Sequence, residues 1–132
     1  MTFEEEHELP SGRLLDQVIA EKVMGWVELG DNLHYHDQDG QPTHYNIHVA
    51  RGDCRYWAPS TDLATAWKVV EYLYTKDWWL YLSMDAFGTN VGFVRRSIKP
   101  DWKWTIHGLP PPHAICLAAL ISVEGVNPME TK

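Results

Sequence analysis

The stretch that decides the fold is YWAPSTDLATAWKVVEYLYTKDWW, residues 56–79. After Pro59 it places Ser60, Thr61 and Asp62 ahead of apolar residues at helical steps: Leu63, Trp67, Val70 and Leu73, with Ala66 and Tyr74 alongside. Lys68, Glu71 and Thr75 fall on other faces, so the segment reads as an amphipathic helix whose stripe faces a core. Ser60 or Thr61 is expected to cap it. Asp62 then lies in the first turn, where the positive end of the helix dipole favours a carboxylate. The alternating WWLYLSM that follows reads as a strand. What remains open is the approach to the helix: Arg51, Arg55, Tyr56 and Trp57 either wall a core or form the lip of a binding site.

Downstream, a turn at Gly88-Thr89-Asn90 returns VGFVRRS as the hairpin partner of that strand, and DWKWTIHG makes a third. Trp78 and Trp79 point to opposite faces, one inward and one outward, whereas Trp102, Trp104 and Ile106 share a buried face. The prolines from Pro110 to Pro112 break the chain and start a last helix. In it Ile115, Cys116, Ala119, Leu120 and Val123 form the buried side, and Gly125 ends it. Upstream, RLLDQVIAEKVMGW is a helix by its Leu15, Val18, Ile19, Val23 and Trp26 pattern, capped by Ser11 and stopped by Gly25. Residues 30–46 are polar, with a hairpin turn at Asp39-Gly40, and CRYW adds a short strand before Pro59. Helices in alternation with an antiparallel meander make an α+β chain.

A length of 132 residues suits one domain. It divides into an acidic N-terminal tail (1–12), a single domain (13–126) and a C-terminal tail (127–132). Seven Trp and six Tyr are more than a core of this size takes up, which points to exposed aromatic surface and a homo-oligomer. With 18 acidic and 11 basic residues the net charge is −7, which argues against duplex nucleic acid as a partner. The basic residues are nonetheless grouped, at Arg51, Arg55, Arg95, Arg96 and Lys99, so a local anion pocket fits an acidic protein. Two cysteines, Cys54 and Cys116, make no disulfide framework. With no secretory signal they suit a reducing cytoplasm. No apolar run is long enough for a membrane span.

Three segments carry a resemblance. LDQVIAEKVMGW, PSTDLATAWKVVE and AICLAAL stand in this order across residues 14–121, and together they resemble the phage ABA sandwich domain family. The resemblance implies a phage origin, the bacterial host cytoplasm as location, and a layered α/β/α-type sandwich. In this chain that means an antiparallel sheet of about 4–5 strands packed by three helices. It implies no catalytic residues. The chain departs from the family pattern at residues 30–55, with four histidines and the Asp-Gly turn.

Two kinds of site are weighed on the residues themselves. His34, His36, His44 and His48 include an H-x-H spacing that puts two imidazoles on one strand face, but no third ligand at metal spacing accompanies them. No G-x-S-x-G or H-E-x-x-H occurs. Asp62 and Glu71, nine residues apart on one helix, are about 13–14 Å distant and cannot share a proton. The other site is the approach to the central helix. Arg51, Arg55, Tyr56, Trp57, Ser60 and Thr61, joined by Arg95 and Arg96, combine charged hydrogen bonding with aromatic stacking, as nucleotide-holding proteins do. The reading is a non-catalytic phage accessory protein without cofactor. It binds a small, nucleotide-like molecule or a host protein, in its sharpest form sequestering an immune signal. A metal-dependent hydrolase built on the histidines, or an acidic protein-interaction module, are the alternatives.

Overall fold

The computed structural model describes residues 2–28, 34–47, 54–96 and 106–124. In chain order these form α1 (Phe3–His7), α2 (Arg13–Val18) continued by a π-helical turn (Ile19–Val23), β1 (Val27–Glu28), β2 (Tyr35–His36), β3 (Tyr45–Asn46), β4 (Arg55–Tyr56), α3 (Leu63–Thr75), β5 (Trp78–Asp85), β6 (Gly88–Arg95), β7 (Ile106–Leu109) and α4 (Pro111–Glu124). The class is α+β, with four α-helices and three small sheets among the described residues. The larger antiparallel sheet expected from the sequence is divided. β5, β6 and β7 make a three-stranded antiparallel sheet, β1 and β2 an antiparallel pair, and β3 and β4 a parallel pair. Among the described residues of 27–56, which are rich in polar and turn-forming types, each strand has 2 residues.

Helix α4 holds the centre. Pro111 opens it, at a position where a missing N–H costs nothing. Every residue from Ala114 to Leu120 is buried, so its middle has no solvated face, and only Val123 of the expected stripe is exposed. A helix apolar all round needs neighbours all round. α4 has them in β6, β7, α3 and the π-helical turn. Ala114, Ala118 and Ala119 keep those neighbours close. From the sheet, Leu80, Val91, Phe93 and Ile106 join the same core.

Helix α2 buries Leu15, Val18, Ile19 and Val23, as its spacing predicts. Its start differs from expectation: Gly12, not Ser11, is the N-cap, and no side chain caps it. The start is held by the segment before α3 instead. Gly12 N–H donates to Ser60 Oγ (2.8 Å), Ser60 N–H donates to Asp16 Oδ1 (2.8 Å), and the Trp57 indole N–H donates to the Asp16 carbonyl (2.9 Å). Asp16 is almost wholly buried, and burial raises its carboxyl pKa against the opposing pull of the Ser60 hydrogen bonds.

The cap of α3 is Asp62, whose carboxylate accepts from Thr65 N–H, rather than Ser60 or Thr61. Its buried face is Thr65, Ala66, Val69 and Leu73. The predicted stripe is therefore rotated: Leu63, Trp67 and Tyr74 lie on the surface. Asp77, in the left-handed conformation (φ 76°), turns the chain from α3 into β5. Trp78 packs inward and Trp79 outward, as expected. The hairpin turn sits at Ala86-Phe87, ahead of the expected Gly-Thr-Asn, because Asp85 accepts the Phe87 N–H (2.8 Å) and closes the loop early. Gly88 (φ 124°) begins β6, where a Cβ would come within 2.8 Å of the Gly108 backbone in β7. The Asp39-Gly40 turn forms as predicted, with Asp37 Oδ1 accepting from Asp39 and Gln41 and a single antiparallel bridge from His36 to Pro42.

Residues 1–12, expected as a tail, carry α1. Glu6 is 4% exposed and accepts from Lys22 Nζ at 2.8 and 2.6 Å. The same ammonium lies 3.5 Å from Glu124 on α4, and His7 lies 3.7 Å from the other Glu124 oxygen. Both termini of the described chain thus meet at one lysine. Burial, and then the Glu6 charge, raise the Glu124 pKa, while burial lowers that of His7.

Asp16→Ala is expected to cost about 1–3 kcal/mol, the range for a buried donor left without its acceptor. Asp16→Asn, which keeps the oxygen, loses less, and urea unfolding midpoints compare the two. A carboxyl whose folded pKa is raised contributes stability that is complete below its unfolded value of 4.5 and is lost as pH climbs through the folded value. Glu124→Gln should therefore match the wild type in melting temperature near pH 4 and exceed it near pH 8. Equal melting curves at both pH values would show that the carboxylate is not strained.

Candidate functional site

The parallel pairing of β3 with β4 builds the site. Tyr45 stands beside Arg55 and Asn46 beside Tyr56. The ladder is held by Arg55 N–H to the His44 carbonyl (2.7 Å) and Trp57 N–H to the Asn46 carbonyl (2.8 Å). His44 enters β3 in the left-handed conformation (φ 65°). For a non-glycine residue this stores roughly 1–3 kcal/mol and is found disproportionately at functional positions. Trp57 and Trp26 lie behind Tyr45, at 5.1 and 5.9 Å between ring centroids, and 4.6 Å from each other. The Tyr45 ring is thus backed by two indoles.

In front of it a surface cleft of about 420 Å³ is lined by His44, Tyr45, Arg55 and, from α3, Lys68. Among the described residues Arg55 has no carboxylate within ion-pair distance. Lys68 reaches Glu71 at 3.7 Å, with both side chains about half exposed. A pair of that kind contributes little and yields easily to a stronger anion. The cleft thus offers a planar guanidinium, an ammonium and a fixed aromatic ring. Such a set suits an anionic ligand with a flat group, since arginine binds carboxylate or phosphate in a fork and stacks on rings.

The residues expected at this site separate. Arg55 lines the cleft and Tyr56 is exposed next to it. Trp57 is not a stacking surface: it is fully buried with its N–H on Asp16, and it serves the site only by supporting Tyr45. Ser60 is likewise buried, its hydroxyl and N–H spent on Gly12 and Asp16. Thr61 is exposed, its hydroxyl 3.5 Å from the Ala58 carbonyl. The expected anion site at the start of α3 is filled by the Asp62 cap. Arg95 and Arg96 go elsewhere. Arg95 lies 4.5 Å over Trp78 and lines a separate cleft of about 290 Å³ with Lys76 and Tyr72. Arg96 lies 4.8 Å over Tyr74 and bonds Asp77. Arg51 and Lys99, like Trp102 and Trp104, fall outside the described residues.

Among the described residues the histidines do not gather into a metal site. His34 and His44 meet edge to face at 5.4 Å, His36 bridges to Pro42, and His48 is outside the described residues. No group of three or more His, Cys, Asp or Glu that could hold a metal occurs among the described residues. Cys54 and Cys116 are both buried, and burial pushes the Cys116 pKa well up, leaving it unreactive. Two lining residues were not legible beforehand. Tyr45 sat in a polar stretch with uncertain pairing. Lys68 looked like any solvated lysine on a helix, since its place beside Arg55 depends on how β4 docks.

No helix among the described residues is long and apolar enough to cross a membrane. No curated protein matches the sequence. A crystal structure of a phage protein from Bacillus cereus ATCC 14579 is similar at 21% identity and a TM-score of 0.49, over 88% of this chain and 95% of that one. Residues 17–120 match the phage ABA sandwich domain, a span running from α2 through the cleft to the buried turns of α4. Covering most of the sequence, that match shows that the chain belongs to the phage ABA sandwich domain family.

Proposed function

We propose that this phage domain is a non-catalytic binding protein that holds a small anionic molecule with a planar ring in the Arg55 cleft. The observation that carries the proposal is a guanidinium without an acidic partner among the described residues, set beside Lys68 and against the Tyr45 ring in a cleft of about 420 Å³. A nucleotide has both required parts. Its phosphate meets the two cations, and its base lies on the tyrosine. Among the described residues the cleft lining of His44, Tyr45, Arg55 and Lys68 is a set suited to holding an anion beside a ring. In the host cytoplasm the finer form of this role is sequestration of a nucleotide-derived immune signal, with the ligand held and released unchanged.

The test has two parts. Protein purified from cells that make such signals is denatured, and the released small molecules are identified by mass spectrometry. Calorimetric titration with a purine mononucleotide then compares the wild type with Arg55→Ala and Lys68→Ala. Loss of a charge-assisted hydrogen bond worth about 1.5–3 kcal/mol weakens binding roughly ten- to hundredfold for Arg55→Ala. Lys68→Ala, at a more exposed position, weakens it less. Equal affinity in wild type and Arg55→Ala would move the site away from this cleft. A ligand recovered in chemically altered form would turn the reading towards an enzyme.

A further inference from the structure

The apolar arc of α3 is wider than its core uses. Ala66, Val69 and Leu73 face the interior, whereas Leu63, Trp67 and Tyr74 are 51%, 47% and 54% exposed, with Val70 partly buried among them. Leu63, Trp67, Val70 and Tyr74 follow one another at four-, three- and four-residue steps. At 3.6 residues per turn they form a single ridge along nearly the full 13-residue helix.

Two features of the ridge match a second copy of itself. The first is spacing. Leu63 and Tyr74 are equally far from the midpoint between Lys68 and Val69, and so are Trp67 and Val70. Two α3 helices laid antiparallel about that midpoint set Leu63 against the partner's Tyr74 and Trp67 against the partner's Val70. The second is charge. The Tyr74 end carries the exposed Arg96, whose guanidinium lies 4.8 Å over that ring and whose Nε is 3.4 Å from Asp77. The Leu63 end carries the exposed carboxylate of Asp62. Antiparallel pairing brings Arg96 towards the partner's Asp62 at both ends, while a parallel arrangement sets like charge beside like.

We propose that the chain forms a homodimer through an isologous, antiparallel α3–α3 contact centred between Lys68 and Val69. A two-fold contact requires a patch complementary to itself, which an alternating ridge of this kind provides. Three half-exposed side chains and one partly buried valine per copy place the contact at the small end of protein interfaces, so the dimer depends on concentration. Lys68 does not belong to this ridge, so each dimer carries two Arg55 clefts.

Sedimentation velocity of the full chain over a range of about 1–200 µM tests this. The expected result is a dimer fraction that rises with concentration. Trp67→Glu should weaken it at least tenfold, with an unchanged melting temperature, because Trp67 is a surface residue. Leu63→Glu gives the same reading should the first variant melt early. Trp79→Glu, a comparably exposed tryptophan on β5, should leave the dimer intact. A monomer throughout the range, or a dimer that survives Trp67→Glu and Leu63→Glu, overturns the proposal.

Discussion

The organisation of this chain depends on a buried carboxylate turned towards a backbone. Asp16 is 2% exposed, and its side chain and main chain each take one donor from the segment before α3, Ser60 N–H and Trp57 Nε1–H. An ionised or neutral carboxyl in that position is tolerable only if it is bonded, because a buried polar group without partners costs more than its hydrogen bonds return. The bonds therefore fix the distance between α2 and the entry to α3. Once Trp57 is fixed, the other aromatic residues have little freedom. Trp26 and Tyr45 close on its indole, and Tyr45 in turn fixes one wall of the cleft.

The same pin explains why the cleft has polar residues at its front and apolar ones behind. Trp57 lies two residues after Arg55, and its burial draws the end of β4 into the core while Arg55 and Tyr56 stay on the surface. Parallel pairing with β3 then sets Tyr45 at the register of Arg55. A charge and a ring become neighbours through the backbone ladder. Replacing the exposed charge of Arg55 would leave that ladder standing.

What the sequence made legible, and what it hid, follows from the range of the forces involved. Helices α2, α3 and α4 and the β5–β6 hairpin rest on local periodicity and turn chemistry, and all were readable. The rotation of α3 was not. Its apolar residues cover about half the circumference, so periodicity could not say which part met the core. Small residues settled the matter, since Ala66 and Thr65 fit against a buried helix where Trp67 would not. Arg55 stood out as a candidate from its company of aromatic residues, and it lines the cleft. The roles of Trp57 and Ser60 were not, because their partner Asp16 lies more than forty residues away. The short strand in CRYW was legible and is β4, but the pairing of the two-residue strands was not, because it is set by docking and not by alternation.

A central helix buried on every side places a demand on the elements around it. α3 meets it by turning Thr65, Ala66, Val69 and Leu73 inward, while its large residues Trp67 and Tyr74 lie on the surface. The exposed aromatic residues of α3 thus follow from which of its faces meets the core. The consequence is also an opportunity. A helix that must present aromatic residues to solvent carries a ready surface for association, at no cost to the core beneath it.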